Sequence, residues 1–456
     1  MTTIFVSAVD GLNTDNGTTW ALAKLTVAGA LAIAASGDVI VVDNAGTFTA
    51  GAAITWTAPA GNVQIISVTR SGTASFTPAA GAVEQVGAAT ALLSIAATNN
   101  AAVYVYGMTL KGGTNNSATN SMGLANGGLG TLQLDMESCT FDLPSAAAVN
   151  ITFGNTVAST TQNSFIRLVN CTFNRTGSNT GGYFAQNNAF VEIVAPTFSF
   201  TGVNKPAFLI AAQLVSASPT FIMRDGDASG YSVSGGAYVS FGLANYSVIL
   251  ENLKLSATPA LTGGAASSFG KGSVFVRNCD SGNTTYTFQY MDRFGTLTAD
   301  TSVYVTAGGA VFNGAGVSWK IVTTSACSEA FPFVTPLIYI WDTTLTAQTA
   351  SIEFIRDNAT ALTDRDIWSD LDSAASASFP NYAYQTNRNA QPFTGTPANQ
   401  PTSTAAWTGT GGFANPTKQK LQNTFTAAAT GLLQSRVYVG KASETLYLDP
   451  FIGGVG

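Results

Sequence analysis

Two carboxylates lie two residues apart in the segment Leu134–Phe141, which reads Leu-Asp-Met-Glu-Ser-Cys-Thr-Phe. Apolar and polar residues alternate there, so the segment is predicted to be a strand that carries Asp135 and Glu137 on one outward face. Their Cα atoms would then lie about 7 Å apart. That separation overlaps the distance between the two carboxylates of an inverting glycosidase.

A structural role is the alternative for these carboxylates. Asp135, Arg167 and Glu192 occupy equivalent outward positions of successive predicted strands. Opposite charges on adjacent strands attract one another and help to fix the register of the strands. We favour this charge ladder over catalysis, and we expect no catalytic residue and no enzymatic activity in the chain.

The other polar clusters do not match a metal or cofactor site. The chain has no histidine, so it lacks the usual general base and the usual transition-metal ligand. Asp364–Asp372 contains four carboxylates, but a Ca²⁺ site needs six to eight oxygen ligands that converge from a loop. An acidic strand edge explains this segment better, although the sequence leaves Ca²⁺ binding open. Phosphate-binding loops, nucleophile elbows and Cys/His metal spacings are absent from the sequence, and we expect no metal and no cofactor.

The strand that carries Asp135 and Glu137 belongs to a repeat. A bend follows each such strand, and the residue after the bend lies on the apolar side again. This residue recurs along the chain at intervals of 25 to 32 residues. A drifting period of this length, in strand-rich units separated by Gly and Asn, is typical of a solenoid. The sequence therefore predicts an all-β chain whose main part is a right-handed parallel β-helix, with one coil per repeat. The predicted internal column is Met108, Cys139, Cys171, Pro196, Gly226, Leu253 and Cys279.

Two further features of the repeat concern packing along the solenoid axis. Cys139 and Cys171 would lie in adjacent coils about 4.8 Å apart. A disulfide is conceivable at that distance, but we favour buried, reduced thiols. Asn170, Asn252 and Asn278 share the bend position, where Asn tolerates the sharp turn and its side-chain amides can hydrogen bond along the axis.

Seven outward positions of the repeated strand hold aromatic or aliphatic residues. So large an apolar share is unusual on a face exposed to solvent. We interpret these positions as an interaction face for a partner chain or, equally well, as a surface that the protein's own long loops shield. The residues are Tyr104, Tyr106, Val169, Val194, Ile222, Ile249 and Phe275.

The repeat stops near residue 320, and we divide the chain into three regions. Residues 1–50 form an N-terminal cap and the first coil, with a helix at Leu25–Ala35 that covers the open sheet edge. Residues 51–325 form the parallel β-helix. Residues 326–456 contain longer alternating strands and predict a C-terminal immunoglobulin-like antiparallel β-sandwich. The predicted strands are Leu337–Trp341, Ile352–Arg356, Ile367–Leu371, Arg436–Val439 and Thr445–Leu448.

Charge and hydropathy exclude two classes of partner. The net charge is −6 and the 19 Lys and Arg residues are scattered, which argues against a nucleic-acid groove. Apolar residues come in short alternating runs, whereas a membrane-spanning helix needs about 18 to 20 consecutive apolar residues. The start of the sequence lacks the cationic and apolar segments of a signal peptide. We expect a soluble protein that binds neither nucleic acid nor membrane.

Three stretches of the chain resemble virion structural proteins of tailed bacteriophages that contain a parallel β-helix. They are the loop Asp10–Thr19 with Trp20 and the Ala-rich segment after it, the coil motif Ile166–Phe173, and the C-terminal run that starts at Thr404 and ends Thr445-Leu-Tyr-Leu-Asp-Pro450. The resemblance implies a capsid decoration or cement protein on the outer surface of the phage head. Its partners would be the major capsid protein and other copies of itself, in a homotrimer.

The resemblance also allows a second function, that of a β-helical tailspike or receptor-binding protein with polysaccharide depolymerase activity. Phage β-helices that cut polysaccharides place carboxylates on faces such as the one that carries Asp135 and Glu137. The predicted β-helix begins near residue 4, without a separate N-terminal domain for attachment to the particle. We therefore expect the decoration protein and keep the tailspike as the alternative.

Overall fold

The structure is a computed structural model with two compact units, Met1–Thr287 and Phe288–Gly456. The predicted boundary at residues 325/326 lies inside the second unit and stays a prediction. The described residues are 1–87, 93–97, 100–112, 122–125, 130–143, 151–154, 162–176, 183–185, 188–201, 208–212, 219–229, 237–240, 247–255, 260–263, 273–280, 285–292, 294–300, 318–335, 338–342, 347–356, 366–374, 401–406, 417–426 and 431–448.

Three parallel sheets build the first unit, and successive passages of the chain add strands to each sheet in turn. The long sheet contains Thr3–Val6, Val39–Asp43, Gly61–Arg70, Ala101–Tyr106, Gly130–Glu137, Gln162–Val169, Asn188–Val194, Thr220–Arg224, Ser247–Glu251 and Ser273–Asp280. The second sheet contains Thr47–Ala50, Ala82–Val86, Met108–Lys111, Thr140–Leu143, Thr172–Thr176 and Thr197–Thr201. The third sheet contains Ile54–Ala58, Leu93–Ala97, Met122–Leu124, Ile151–Phe153, Tyr183–Ala185, Phe208–Ala212, Ala237–Ser240 and Ala260–Gly263. The short strand Phe76–Pro78 pairs antiparallel with the end of Gly61–Arg70.

The predicted internal column of the repeat is confirmed. In the second sheet Thr109 pairs with Thr140, Thr140 with Thr172, and Thr172 with Thr197, so the residues just before them also lie above one another. Parallel bridges from Thr197 to Asp227, Lys254 and Asp280 extend this register to the later members of the column. Six members are buried: Met108, Cys139, Cys171, Pro196, Leu253 and Cys279. The seventh, Gly226, lies in the column but is half-buried. An all-β chain with stacked coils and long parallel sheets is the arrangement of a parallel β-helix, and its right-handed sense stays a prediction.

A left-handed residue forms the corner between the long sheet and the second sheet in seven successive coils. Each has φ between 49° and 70°, a conformation that Gly and Asn adopt most readily. In the first six of these coils the backbone N–H group donates to a carbonyl at or near the end of the long-sheet strand of the next coil, as from Ser138 to Val169 at 2.9 Å and from Asn170 to Val194 at 3.0 Å. The corner column is Gly107, Ser138, Asn170, Ala195, Asp225, Asn252 and Asn278.

The N-terminal cap covers the first strand with a loop and a short helix. Backbone hydrogen bonds join Phe5 and Ser7 to Lys24, so the edge of strand Thr3–Val6 is covered. A 3₁₀ turn spans Trp20–Leu22, and the α-helix spans Val27–Leu31, with the Thr26 hydroxyl accepting from the Gly29 N–H at 2.9 Å. The prediction of a helix over Leu25–Ala35 is thus too long, because Thr26 is the N-cap and the helix ends before the turn at Ser36-Gly37.

The buried carboxylate of Glu84 links this helix to the adjacent coils through hydrogen bonds. Glu84 is 2% exposed, and its two oxygens accept from the Val27 N–H at 2.7 Å and from the Trp56 indole N–H at 2.8 Å. Both donors are neutral. Burial raises the pKa of Glu84, because removal from water disfavours the charged form more than the two hydrogen bonds favour it.

Antiparallel strands in two sets make up the described part of the second unit, and the first of these strands begins inside the first unit, which ends at Thr287. The first set is Thr285–Asp292, Gly295–Asp300, Ser318–Thr323, Ala347–Arg356, Pro401–Ala406, Thr417–Thr426 and Thr445–Leu448, and the second is Phe333–Val334, Ile338–Asp342, Ile367–Ala374 and Gly431–Val439. Both sets contribute to one buried cluster, which includes Leu297, Ile321 and Phe354 from the first and Phe333 and Ile367 from the second. The antiparallel strands around one core agree with the strands predicted for this region. The immunoglobulin-like sandwich stays a prediction.

All four cysteines are buried, reduced thiols: Cys139, Cys171, Cys279 and Cys327. The prediction of reduced thiols at Cys139 and Cys171 is confirmed. In the part of the chain that the structure describes, no helix combines the length and the apolar character needed to cross a membrane.

Candidate functional site

The outward side chains of the long sheet form three rows that run along the coils. Strict pairing in register places Asp135 beside Tyr104 on one side and Arg167 on the other. Glu137 occupies the row two residues further along each strand, and Gln133 the row two residues before. The three rows together are called the long-sheet face here, and the carboxylates identified in the sequence lie at its centre.

The most exposed apolar side chains of this face belong to one aromatic pair. Phe165 and Phe190 pair in register on adjacent strands, with ring centroids 6.3 Å apart. They are 49% and 38% exposed. Exposure of neighbouring aromatic rings on a face that also carries charged groups is typical of a binding surface rather than of a packed core. We call Phe165 and Phe190 the aromatic shelf.

Each of the two carboxylates is held by a neutral donor. The Tyr104 hydroxyl donates to Glu137 Oε2 at 2.8 Å, and the Gln133 side-chain amide donates to Asp135 Oδ2 at 3.0 Å. Asp135 and Glu137 are half-buried. Each contact engages one oxygen of its carboxylate, and among the described residues no side chain hydrogen bonds to the second oxygen of either group. Burial and then the hydrogen bond to Glu137 raise the pKa of Tyr104 to about 12, so its hydroxyl remains a donor over the physiological range.

Charged side chains form a network on the later coils. Glu192 accepts from Arg167 Nε at 3.1 Å and from Arg224 Nε at 3.0 Å, so one carboxylate lies between guanidinium groups from the coil before and the coil after. Arg224 also contacts Asp225 at 2.8 Å. The predicted ladder is therefore present between Arg167 and Glu192. Its third member differs, because Asp135 bonds Gln133 and makes no ion pair with Arg167 among the described residues.

The seven residues predicted as an interaction face all lie on the long-sheet face. They are half-buried rather than freely exposed: Tyr104, Tyr106, Val169, Val194, Ile222, Ile249 and Phe275. Contact with a partner chain at these residues stays a prediction.

The acidic segment Asp364–Asp372 lies partly outside the described residues, which begin again at 366. From there the segment is a strand, with Asp370 in register with Arg436 and Asp372 with Gln434. Within the described residues no group of three or more acidic or cysteine side chains is arranged to hold a metal ion.

Sequence reasoning missed the aromatic shelf, although a signal for it was available. The alternation that identifies the outward rows of Asp135 and Glu137 continues two residues earlier in each strand. Extended that far, it places Gln133, Phe165 and Phe190 in a third outward row. The contact between Tyr104 and Glu137 had no such signal, because it runs diagonally between two rows.

Comparisons with known proteins give little support beyond this geometry. No protein-family model matches the chain, and no curated protein matches it. Seven chains of solved structures match, among them the crystal structure of the bacteriophage CBA120 tailspike protein 4 enzymatically active domain, at 10% identity and a TM-score of 0.23. The match covers 94% of this chain and 65% of that one. The fold described above rests on the strand pairing and not on this likeness.

One prediction changes with this comparison. The expectation that the chain has no enzymatic activity is contradicted, since the matched domain is named as enzymatically active, and we withdraw it. None of the three comparisons supports a capsid decoration role or a place on the outer surface of the head. A bacteriophage β-helix protein remains consistent with the parallel sheets.

Proposed function

We propose that this chain is a virion surface protein of the tailspike type, which binds a glycan on the long-sheet face and hydrolyses it. The observation that carries the proposal is the aromatic shelf beside two oriented carboxylates. The flat rings of Phe165 and Phe190 offer apolar area to the faces of sugar rings. The polar groups next to them can bond the sugar hydroxyls and fix the orientation of the chain.

Hydrolysis would use Asp135 and Glu137 as acid and base. Glu137 removes a proton from water, and the water oxygen attacks the anomeric carbon. The glycosidic C–O bond breaks with its electron pair going to the leaving oxygen, which takes the proton of the Asp135 carboxyl group. Proton exchange with solvent then restores both groups. Two residues on one face of a strand leave room for the attacking water, as inversion at the anomeric carbon requires.

The decoration-protein interpretation depends on a different set of residues. It needs the seven-residue apolar face to contact the head shell, and those residues are half-buried. The exposed aromatic rings lie instead in the row beside the carboxylates. We therefore prefer the tailspike interpretation. It predicts a handful of copies in each purified particle, whereas a shell protein would be present in hundreds.

A glycan panel tests the proposal. Capsular and O-antigen polysaccharides are incubated with the protein, binding is measured by calorimetry, and released oligosaccharides are separated by chromatography. We expect Phe165→Ala with Phe190→Ala to weaken binding at least 10-fold, and Glu137→Gln to abolish release while binding persists. Val322→Ala is the matched control, since Val322 is 38% exposed in the second unit. If the protein bound none of the glycans of the host surface, the proposal would be refuted.

A further inference from the structure

The hydrogen bond between Tyr104 and Glu137 crosses from one coil to the next in a direction that strand pairing does not require. Tyr104 is in register with Asp135, and Tyr106 is in register with Glu137. A long aromatic side chain can reach the diagonal neighbour on the next strand as well as the residue directly opposite, so strand pairing alone does not select its partner. The Tyr104 hydroxyl reaches the carboxylate diagonally, to Glu137 Oε2 at 2.8 Å.

From this geometry, and on the basis of the function proposed above, we propose that Tyr104 positions Glu137 as the general base. The phenol donates to one oxygen of Glu137 and leaves the other free to take a proton from water. A hydrogen bond donated to a carboxylate favours its charged form, which is the form that a base needs at the start of the reaction. Tyr104 acts through Glu137 and is a positioning residue.

The contact of Asp135 suits the opposite role. Its partner is the Gln133 side chain, whose amide can donate to an ionised carboxylate through nitrogen or accept from a protonated one through oxygen. A general acid passes between these two states in each turnover. The Tyr104 hydroxyl, whose pKa is raised to about 12, donates to the ionised form of Glu137. A phenol can also accept a hydrogen bond, so the pH–rate profiles of the variants, and not the contacts alone, test which carboxylate is the base.

Tyr106 provides a matched control. It carries the same phenol on the same strand, at the next outward position, and it is half-buried to a similar degree. In the described part of the chain no hydrogen bond joins its hydroxyl to Asp135 or Glu137. Removing the hydroxyl from either residue changes the same atom on the same face, and only one of the changes removes the bond to Glu137.

The experiment measures the kinetics of the full chain on a polysaccharide that it cleaves, with Tyr104→Phe, Tyr106→Phe and Glu137→Gln. We expect Tyr104→Phe to lower kcat about 10-fold, to change KM less than about 2-fold, and to move the acidic limb of the pH–rate profile to higher pH. Tyr106 lies on the proposed binding face, so Tyr106→Phe can change KM, but it leaves the acidic limb of the pH–rate profile in its wild-type position. Phenol absorbance supplies a readout without substrate: the tyrosine that titrates near 12 disappears in Tyr104→Phe and titrates lower in Glu137→Gln.

The outcomes separate this inference from the proposed function. Wild-type kinetics in Tyr104→Phe would overturn the positioning role, as would a rise in KM with unchanged kcat, which is the mark of a ligand contact. Binding of glycans without release of oligosaccharide would overturn it too, while leaving glycan binding intact. Failure to bind any glycan refutes the proposed function and the inference together.

Discussion

The Asn278 side-chain amide donates a hydrogen bond to Asn252 Oδ1 at 2.8 Å, from one coil to the next along the corner column. Asn252 in turn donates to Asp225 Oδ1 at 2.8 Å. The ladder ends there, because the next corner residue is Ala195, which has a methyl group and a left-handed φ of 50°. Asn170 follows on the other side. Ala195 therefore interrupts the ladder, although the corner residues on either side of it, Asn170 and Asp225, could hydrogen bond to a side-chain amide.

Replacing this residue should stabilise the β-helix. We expect Ala195→Asn to raise the free energy of unfolding by about 1 kcal/mol, since Asn tolerates the left-handed conformation better than Ala and restores the side-chain hydrogen bonds. Denaturant unfolding followed by circular dichroism measures the change. Ala195→Gly is the control: it relieves the backbone strain without adding an amide, so it should give a smaller gain. A loss of stability in both variants would contradict the prediction.

Acidification should strengthen the N-terminal cap through Glu84. The pKa of Glu84 is raised in the folded protein, so its contribution to stability is full below the pKa of the unfolded state and is lost as pH rises through the folded value. The unfolding free energy of the wild type, relative to that of Glu84→Gln, should therefore increase as the pH falls from neutral to mildly acidic. The protection factor of the Val27 amide, which is its exchange rate relative to the intrinsic rate at the same pH, should rise in parallel.

Removing the carboxyl group of Glu84 altogether is a separate test of its contacts. Glu84→Ala leaves the buried N–H groups of Val27 and Trp56 without their acceptor, and each such loss costs on the order of 1 to 3 kcal/mol. We expect the variant to unfold at lower denaturant concentration, with the early coils affected first. Unchanged stability would mean that water replaces the carboxylate.

Much of the fold could be predicted because the inward residues of the coils repeat. Cys139 and Cys171 lie one full coil apart. Burial of such inward apolar residues determines the strand register, whatever side chains the outer face carries. Contacts on the outer face follow no such rule. Long side chains reach diagonally, as from Tyr104 to Glu137, or pair with a second partner, as Glu192 does with Arg224. Their geometry depends on rotamers that the pattern of apolar residues does not determine.

The Glu192 network should contribute more to stability than an isolated surface pair. Glu192 has 20% of its side chain exposed and contacts two guanidinium groups, whereas Lys254 and Asp227 are each 58% exposed. We expect Glu192→Gln to cost about 1 kcal/mol and Lys254→Gln to stay within about 0.5 kcal/mol, because water and salt screen exposed charges. The cost of Glu192→Gln should shrink in 1 M salt. Equal costs for the two variants would argue against a network.

The thiols should be inert in the native protein and reactive once it unfolds. Cys139 and Cys171 are at most 1% exposed. The pKa of Cys139 is raised, first by its hydrogen bond with Cys171 and then by burial, so the reactive thiolate is scarce as well as inaccessible. Treatment with a thiol-specific chromogenic reagent should label none of the four cysteines in buffer and all four in denaturant. Labelling that precedes the loss of circular dichroism would show that a coil opens locally, contrary to a cooperative stack.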